Sequence, residues 1–190
     1  MGKVVVFGNQ KGGCGKTTLT MNLAGSFMKE GRVLVINGDE QGSAIRWSKN
    51  NDSEIGFPSS VVDLSSFKEQ AHREIKKYVN DYDYIFVDCP PAVESSFTNS
   101  VLLVADLAII PIIPSPTDMW AATGIEKLIS NIQVMNEELK ARIVVNLCKH
   151  RNNVVKFAIK NIEEFKFPKF KTDIYVRTAY EQAAAFGTTV

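Results

Sequence analysis

Several things are scarce in this 190-residue chain, and each scarcity closes off a class of function. Cysteine comes first: Cys14, Cys89 and Cys148 are the whole supply, far apart and without CxxC spacing. That argues against a zinc site, a disulfide scaffold or a thiolate-held iron–sulfur cluster, and it fits a reducing cytoplasm. An excess of one charge is also missing, with 22 Lys+Arg against 21 Asp+Glu and a formal net charge of +1. Any nucleic-acid partner therefore has to be argued from local clustering. No apolar run is long enough for a membrane span or a signal h-region; Val4 to Phe7 is apolar but runs straight into glycines. Internal repeats, low-complexity tracts and Gly/Ser linkers are absent too, and the polar stretch from Lys49 to Ser60 reads as a surface loop, not a boundary. With 45% apolar and 23% charged residues, the chain is expected to form a single soluble domain over residues 1–190.

What is present is an alternation of two periodicities. Val4 to Phe7, Val33 to Ile36, Tyr84 to Val87, Leu107 to Ile110 and Ile143 to Val145 are continuously apolar, the pattern of strands covered on both faces. Between them Leu19, Leu23, Ala24, Phe27 and Met28 recur at helical spacing, with Gly31 where a C-cap belongs. Ile125, Leu128, Ile129 and Ile132 repeat the pattern after Pro114-Ser115-Pro116. The alternation predicts an α/β fold, a doubly wound, mostly parallel sheet with helices on both faces, whose ligand lies beyond the carboxyl ends of the strands.

The segment Gln10 to Thr18 follows the first such strand and opens the first such helix, which is the context of a phosphate-binding loop. Gly12, Gly13, Cys14 and Gly15 let backbone N–H groups turn inward around phosphate oxygens. Lys16 reaches the β- and γ-phosphates, Thr17 supplies a hydroxyl for magnesium, and Thr18 continues the helix start. Asp88, closing the strand that begins at Tyr84, suits magnesium coordination or, more plainly, a turn cap before Pro90 and Pro91.

The strict pattern GxxxxGK[ST] fails at its first position, where Gln10 stands, and the failure is informative. Lys11-Gly12-Gly13-Cys14-Gly15-Lys16-Thr17 resembles the deviant Walker A motif of the ParA/MinD family, whose mark is the additional lysine, here Lys11. The resemblance runs on to Ile174 to Glu181, which is similar to the family's I-x-x-R-x-A-x-x-E segment. It implies a P-loop NTPase with ATP and Mg²⁺ as cofactors and a sandwich homodimer formed when ATP is bound. Lys11 would then be catalytic in trans, stabilising charge on the transferring phosphoryl group as an arginine finger does; a solvated loop lysine is the plainer alternative. Asn37-Gly38-Asp39-Glu40-Gln41 resembles the family's DxDPQ element, which assigns water activation, and a share of the magnesium, to Asp39. Asn37 in place of the first acid and Glu40 in place of the proline imply slower turnover. Asn146, after the strand ending at Val145, stands where a family residue meets the adenine, though strand-end asparagines also form turns. Pro111 to Asp118 resembles the segment leading to the dimer face, or is simply a rigid turn.

From Glu137 onward ten Lys/Arg face six acids, against twelve and fifteen before it. Lys149, Arg151, Lys156, Lys160, Lys169, Lys171 and Arg177 are the candidate contacts for non-specific DNA, or else a solvated basic face. The resemblance implies a slow, partner-stimulated ATPase that partitions plasmid or chromosomal DNA with a ParB-like centromere-binding or cargo adaptor protein, in the cytoplasm and on the nucleoid. The sequence as it stands carries neither a helix-turn-helix before the loop nor a basic amphipathic membrane helix after it, so operator binding and membrane attachment are not expected. A positioning ATPase for a non-DNA cargo would share every motif, and a nucleotide-switched binding module with negligible hydrolysis stays open because of Asn37.

Overall fold

The computed structural model describes residues 1–50, 56–92, 95–149, 160, 162 and 165–190. Its strands are β1 (Lys3–Phe7), β2 (Val33–Asn37), β3 (Ser60–Asp63), β4 (Tyr84–Asp88), β5 (Leu107–Ile112) and β6 (Lys140–Val145). The helices are α1 (Lys16–Phe27), α2 (Ser43–Lys49), α3 (Ala71–Tyr78), α4 (Ser96–Leu102), α5 (Pro116–Ile132) and α6 (Thr178–Ala185), with a 3₁₀ segment over Ser65–Gln70. The strands form one sheet in the order β3-β2-β4-β1-β5-β6, every neighbouring pair parallel. The expected doubly wound α/β fold is therefore present.

Strand alternation divides the core in two. Val4, Val6, Leu34, Ile36, Ile85, Val87, Ile110 and Ile143 face α3, α4 and α5, where Ile75, Val101, Ile125 and Ile129 meet them. Val5, Phe7, Val33, Val35, Phe86, Ile109 and Val144 face α1, α2 and α6, which contribute Leu19, Met21, Ala24, Trp47 and Ala183. Both faces bury apolar side chains, which is why the central strands read as unbroken apolar runs.

The sheet has one strand more than those runs announce. β3 sits at its edge with Ser60 and Asp63 exposed and Val61 and Val62 half-buried, so it lacks the signature of a strand covered on both sides. The stretch expected as a loop is correspondingly shorter: Lys49 closes α2, Ser60 opens β3, and residues 51–55 lie outside the described residues. Two further expectations are corrected. Gly31 is not a left-handed cap, since the glycines with positive φ are Gly13, Gly15, Gly42, Gly56 and Gly187. It is needed for close approach, because a Cβ there would stand 2.8 Å from the Asp83 carboxylate. Of the run expected as a rigid turn only Pro114 and Ser115 bend, because Pro111 lies inside β5 and Pro116 is the first residue of α5. Among the described residues no helix is long and apolar enough to cross a membrane.

Candidate nucleotide-binding site

Sheet register brings the ends of four strands into line: Phe7 pairs with Asp88, Asn37 with both Asp88 and Asp63. From β1 the chain loops over this edge into α1. Gly15, the N-cap, has φ 89 and offers no side chain to cap the helix, so the first-turn N–H groups remain available to an anion. A side chain at this position is excluded twice over, by the left-handed φ and because a Cβ would stand 2.3 Å from Asn146 Nδ2. Asn146 itself donates to the Cys14 carbonyl at 2.8 Å, so at the residue expected against the base the amide nitrogen is engaged on the loop. The loop folds inward on the Lys11 carbonyl, which accepts from Lys16 Nζ at 3.1 Å and from Cys14 Sγ at 3.3 Å. Asn9 braces it, accepting from the Lys11 N–H at 3.2 Å and donating to the Pro111 carbonyl at 2.7 Å. Gly12 and Gly13 stand exposed at the mouth, and the Thr18 carbonyl accepts from Asn22 Nδ2 at 2.8 Å. Lys16 is only 7% exposed, a cation already desolvated and aimed into the loop. Burial pushes the Cys14 thiol up, and takes Cys89 to about 12, so neither is a ready nucleophile.

Thr17 and Asp88 meet as expected: the Thr17 hydroxyl donates to Asp88 Oδ2 at 2.6 Å. Asp88 is 1% exposed and its Oδ1 has no hydrogen-bond partner, an arrangement costly for a carboxylate unless something else completes it. A hydroxyl beside an unpartnered, hard carboxylate oxygen fits Mg²⁺, with Thr17 and Asp88 as the residues that would hold it. Burial, above all, raises the Asp88 pKa to about 7, with the Asp39 charge adding and Thr17 and Lys16 opposing. Between about pH 4 and pH 7 the folded chain then binds more protons than the unfolded one, so stability without metal should fall as pH rises through that window. Thermal melts at about pH 5 and about pH 8, which cover the upper part of that window, check this: Mg·ATP should restore the loss, and a pH-independent melt would contradict it.

Asp39 makes no hydrogen bond to Thr17 or Asp88. Its Oδ1 accepts from the Gln41 N–H at 2.9 Å and its carbonyl from Gly42 N at 2.8 Å, which is turn-capping geometry. It lines a cleft of about 390 Å³ with Gly38, Lys68, Pro90, Ser95 and Phe97, and acts on Asp88 through its charge.

Lys11 points elsewhere than into its own loop. Its Nζ lies 2.7 Å from Asp118 Oδ2, in a pair where Lys11 is 38% exposed and Asp118 4%. Asp118 belongs to the first turn of α5, its N–H held by the N-cap oxygen of Ser115, whose hydroxyl donates back to Oδ2. A carboxylate at a helix N-terminus is stabilised by the peptide dipoles, which helps a buried acid hold a cation. Asp118 was not among the candidate residues, although Ser115-x-x-Asp118 ahead of an apolar helix run is a capping-box pattern that would have placed it there. Asn9 carries no comparable sequence signal.

The basic candidates do not form one set. Lys149, Lys160, Lys171 and Arg177 are exposed and carry no ion pair among the described residues. Lys169 is a correction: it is partly buried, 2.8 Å from Asp173 Oδ1, and so is already neutralised. Arg151 and Lys156 lie outside the described residues.

A glycine loop closing on a helix N-terminus at the carboxyl edge of a parallel sheet, with a desolvated lysine and a Thr–Asp pair beneath it, defines a P-loop nucleotide-binding protein. The CobQ/CobB/MinD/ParA nucleotide binding domain family (CbiA) matches residues 5–190, and the chain belongs to it. Maintenance of carboxysome distribution protein A from Halothiobacillus neapolitanus is 31% identical over 186 residues, covering 96% of this chain and 83% of that protein. The chromosome partitioning protein ParA of Myxococcus xanthus is 26% identical, covering 100% of this chain and 81% of that one. McdA from Cyanothece superposes with a TM-score of 0.83 at 15% identity, covering 100% of this chain and 92% of that one. The ATP complex of its aspartate-to-alanine variant gives 0.81 at 17%, covering 99% and 88%.

Proposed function

We propose that this chain is an ATPase that positions a large protein body by cycling between an ATP-bound dimer and an ATP-free monomer. The observation that carries the reading is the Lys11–Asp118 pair at 2.7 Å: the signature lysine, 38% exposed, is paired with the first turn of α5 and not with its own loop. A lysine so placed is available to a second subunit's nucleotide. When bound, Mg²⁺ would neutralise phosphate charge beside Thr17 and Asp88, while Lys16 and the loop amides hold the phosphates and Asp39 orients the attacking water.

The cargo follows the weight of similarity. A relative named for carboxysome distribution matches at 31% across nearly the whole chain, and one named for chromosome partitioning at 26%. This favours the non-DNA cargo over plasmid or chromosome partition, and a cargo adaptor over a centromere-binding partner. DNA keeps a role as the surface the dimer holds, through exposed Lys149, Lys160, Lys171 and Arg177. Light scattering should find a dimer with ATP·Mg and a monomer with ADP. Pelleting with random-sequence DNA should be ATP-dependent and much weaker at about 200 mM than at about 50 mM salt. A chain that stays monomeric with ATP would overturn the cycle, and DNA binding indifferent to nucleotide and salt would remove DNA as the surface.

A further inference from the structure

Asn37 stands at the end of β2, 0% exposed, where the family's resemblance calls for an acid. Its side-chain nitrogen has two hydrogens, and both are placed. One goes to the carbonyl of Asp39 at 2.9 Å, the other to Asp63 Oδ1 at 2.9 Å. Asp63 is the register partner of Asn37 on the edge strand β3, and the same Oδ1 accepts from the Ser65 N–H at 3.0 Å. The Asp39 carbonyl is thus held from two sides, by Asn37 Nδ2 and by Gly42 N at 2.8 Å, while its carboxylate rests on Gln41 N at 2.9 Å.

We infer that Asn37 and Asp63 act as one unit that fixes the Asp39 turn against the sheet, making Asp63 a positioning residue for ATP hydrolysis. The inference rests on the reading of Asp39 given above. It accounts for the missing acid at residue 37: a carboxylate there would face Asp63 on one side and Asp88 on the other, three acids on adjacent strand ends. Negative charge is carried instead on the exposed edge strand, where water solvates it, and a neutral amide occupies the buried place between. Burial works to raise the Asp63 pKa, but the Asn37 amide and the Ser65 N–H and hydroxyl outweigh it and hold the carboxyl below its ordinary value. Asp63 therefore stays an anion, and an acceptor, throughout the neutral range.

The test separates positioning from mere strand pairing. Phosphate release at saturating Mg·ATP, nucleotide affinity and melting temperature are measured for Asp63→Ala, Asp63→Asn, Asn37→Asp and Asp39→Ala. Loss of the acceptor in Asp63→Ala should lower kcat about tenfold or more, since small displacements of a reacting group are costly, while nucleotide affinity stays within about twofold. Asp63→Asn keeps an acceptor oxygen for the Asn37 amide and should recover most of that loss. Asn37→Asp loses both donors and should be impaired like Asp63→Ala. If Asp63→Ala turns over like the wild type while Asp39→Ala is inactive, the unit is refuted and the nucleotide site stands. Equal loss in Asp63→Ala and Asp63→Asn, with parallel drops in melting temperature, marks a structural role and also refutes it. Wild-type turnover in Asp39→Ala would remove the reading of Asp39 and this inference with it.

Discussion

Lys11→Ala is expected to bind ATP·Mg with close to wild-type affinity, to remain monomeric, and to hydrolyse ATP about a thousandfold more slowly. Affinity survives because the phosphates are held by Lys16, 7% exposed and already directed into the loop, and by the uncapped amides of α1. Turnover is lost because the cation meant for the partner's transferring phosphoryl group is gone, an effect comparable to removal of an arginine finger. The resting pair supplies a complementary variant. Lys11 Nζ is held 2.7 Å from Asp118, and this contact has to break before the lysine can cross. Because the lysine is 38% exposed, water screens the pair; an energy of about 1 kcal/mol is reasonable, so Asp118→Asn should dimerise at about fivefold lower ATP. Light scattering across an ATP titration measures both. A Lys11→Ala protein that dimerises and turns over normally would leave an ordinary P-loop protein without a role for a second subunit.

Lys16→Ala should cost about a hundredfold in ATP·Mg affinity, the scale of a lost charged hydrogen bond in a desolvated site. It removes the buried Lys16 cation and, with it, a donor to the Lys11 carbonyl that Cys14 Sγ shares. Thr17→Ala attacks the same site from the metal side. It deprives Asp88 Oδ2 of its 2.6 Å partner while Oδ1 is already unpartnered, so both magnesium dependence and stability without metal should suffer. Calorimetric titration with ATP·Mg and with ATP in a chelator distinguishes the two variants, since Lys16→Ala should weaken both titrations and Thr17→Ala chiefly the first. Wild-type affinity in both would refute the phosphate-loop assignment.

The legible part of this molecule is the part written in adjacent residues. Continuous apolar runs over β1, β2, β4 and β5 announced a sheet covered on both faces, and the edge strand β3 escaped because its only apolar residues, Val61 and Val62, are half-buried, one against each core, between exposed Ser60 and Asp63. The loop was legible for a similar reason. Gly13 and Gly15 need φ values of 75 and 89, which restricts the residue type at each position whatever the rest of the chain does. Lys16 and Thr17 follow because a helix must start there, and Asp88 because its strand ends there.

What surrounds those residues was decided by packing. Asn146 reaches the loop from 132 residues away, Asp118 reaches Lys11 from 107, and Asp63 reaches Asn37 from 26. None of these separations has a period that a sequence pattern can carry; each exists only because parallel register lines up the carboxyl ends of strands distant in the chain. The same holds for charge. Lys169 counts as a basic residue in any tally, yet in the fold Asp173 cancels it. Local dihedral and burial requirements, which each residue meets on its own, determined from sequence alone that this is an α/β nucleotide-binding domain with its cradle at residues 11 to 18. Which side chains hold Lys11, Asn37 and Asp39 in place was settled by the tertiary structure, because a hydrogen bond specifies a partner in space and leaves no mark on its neighbours in sequence.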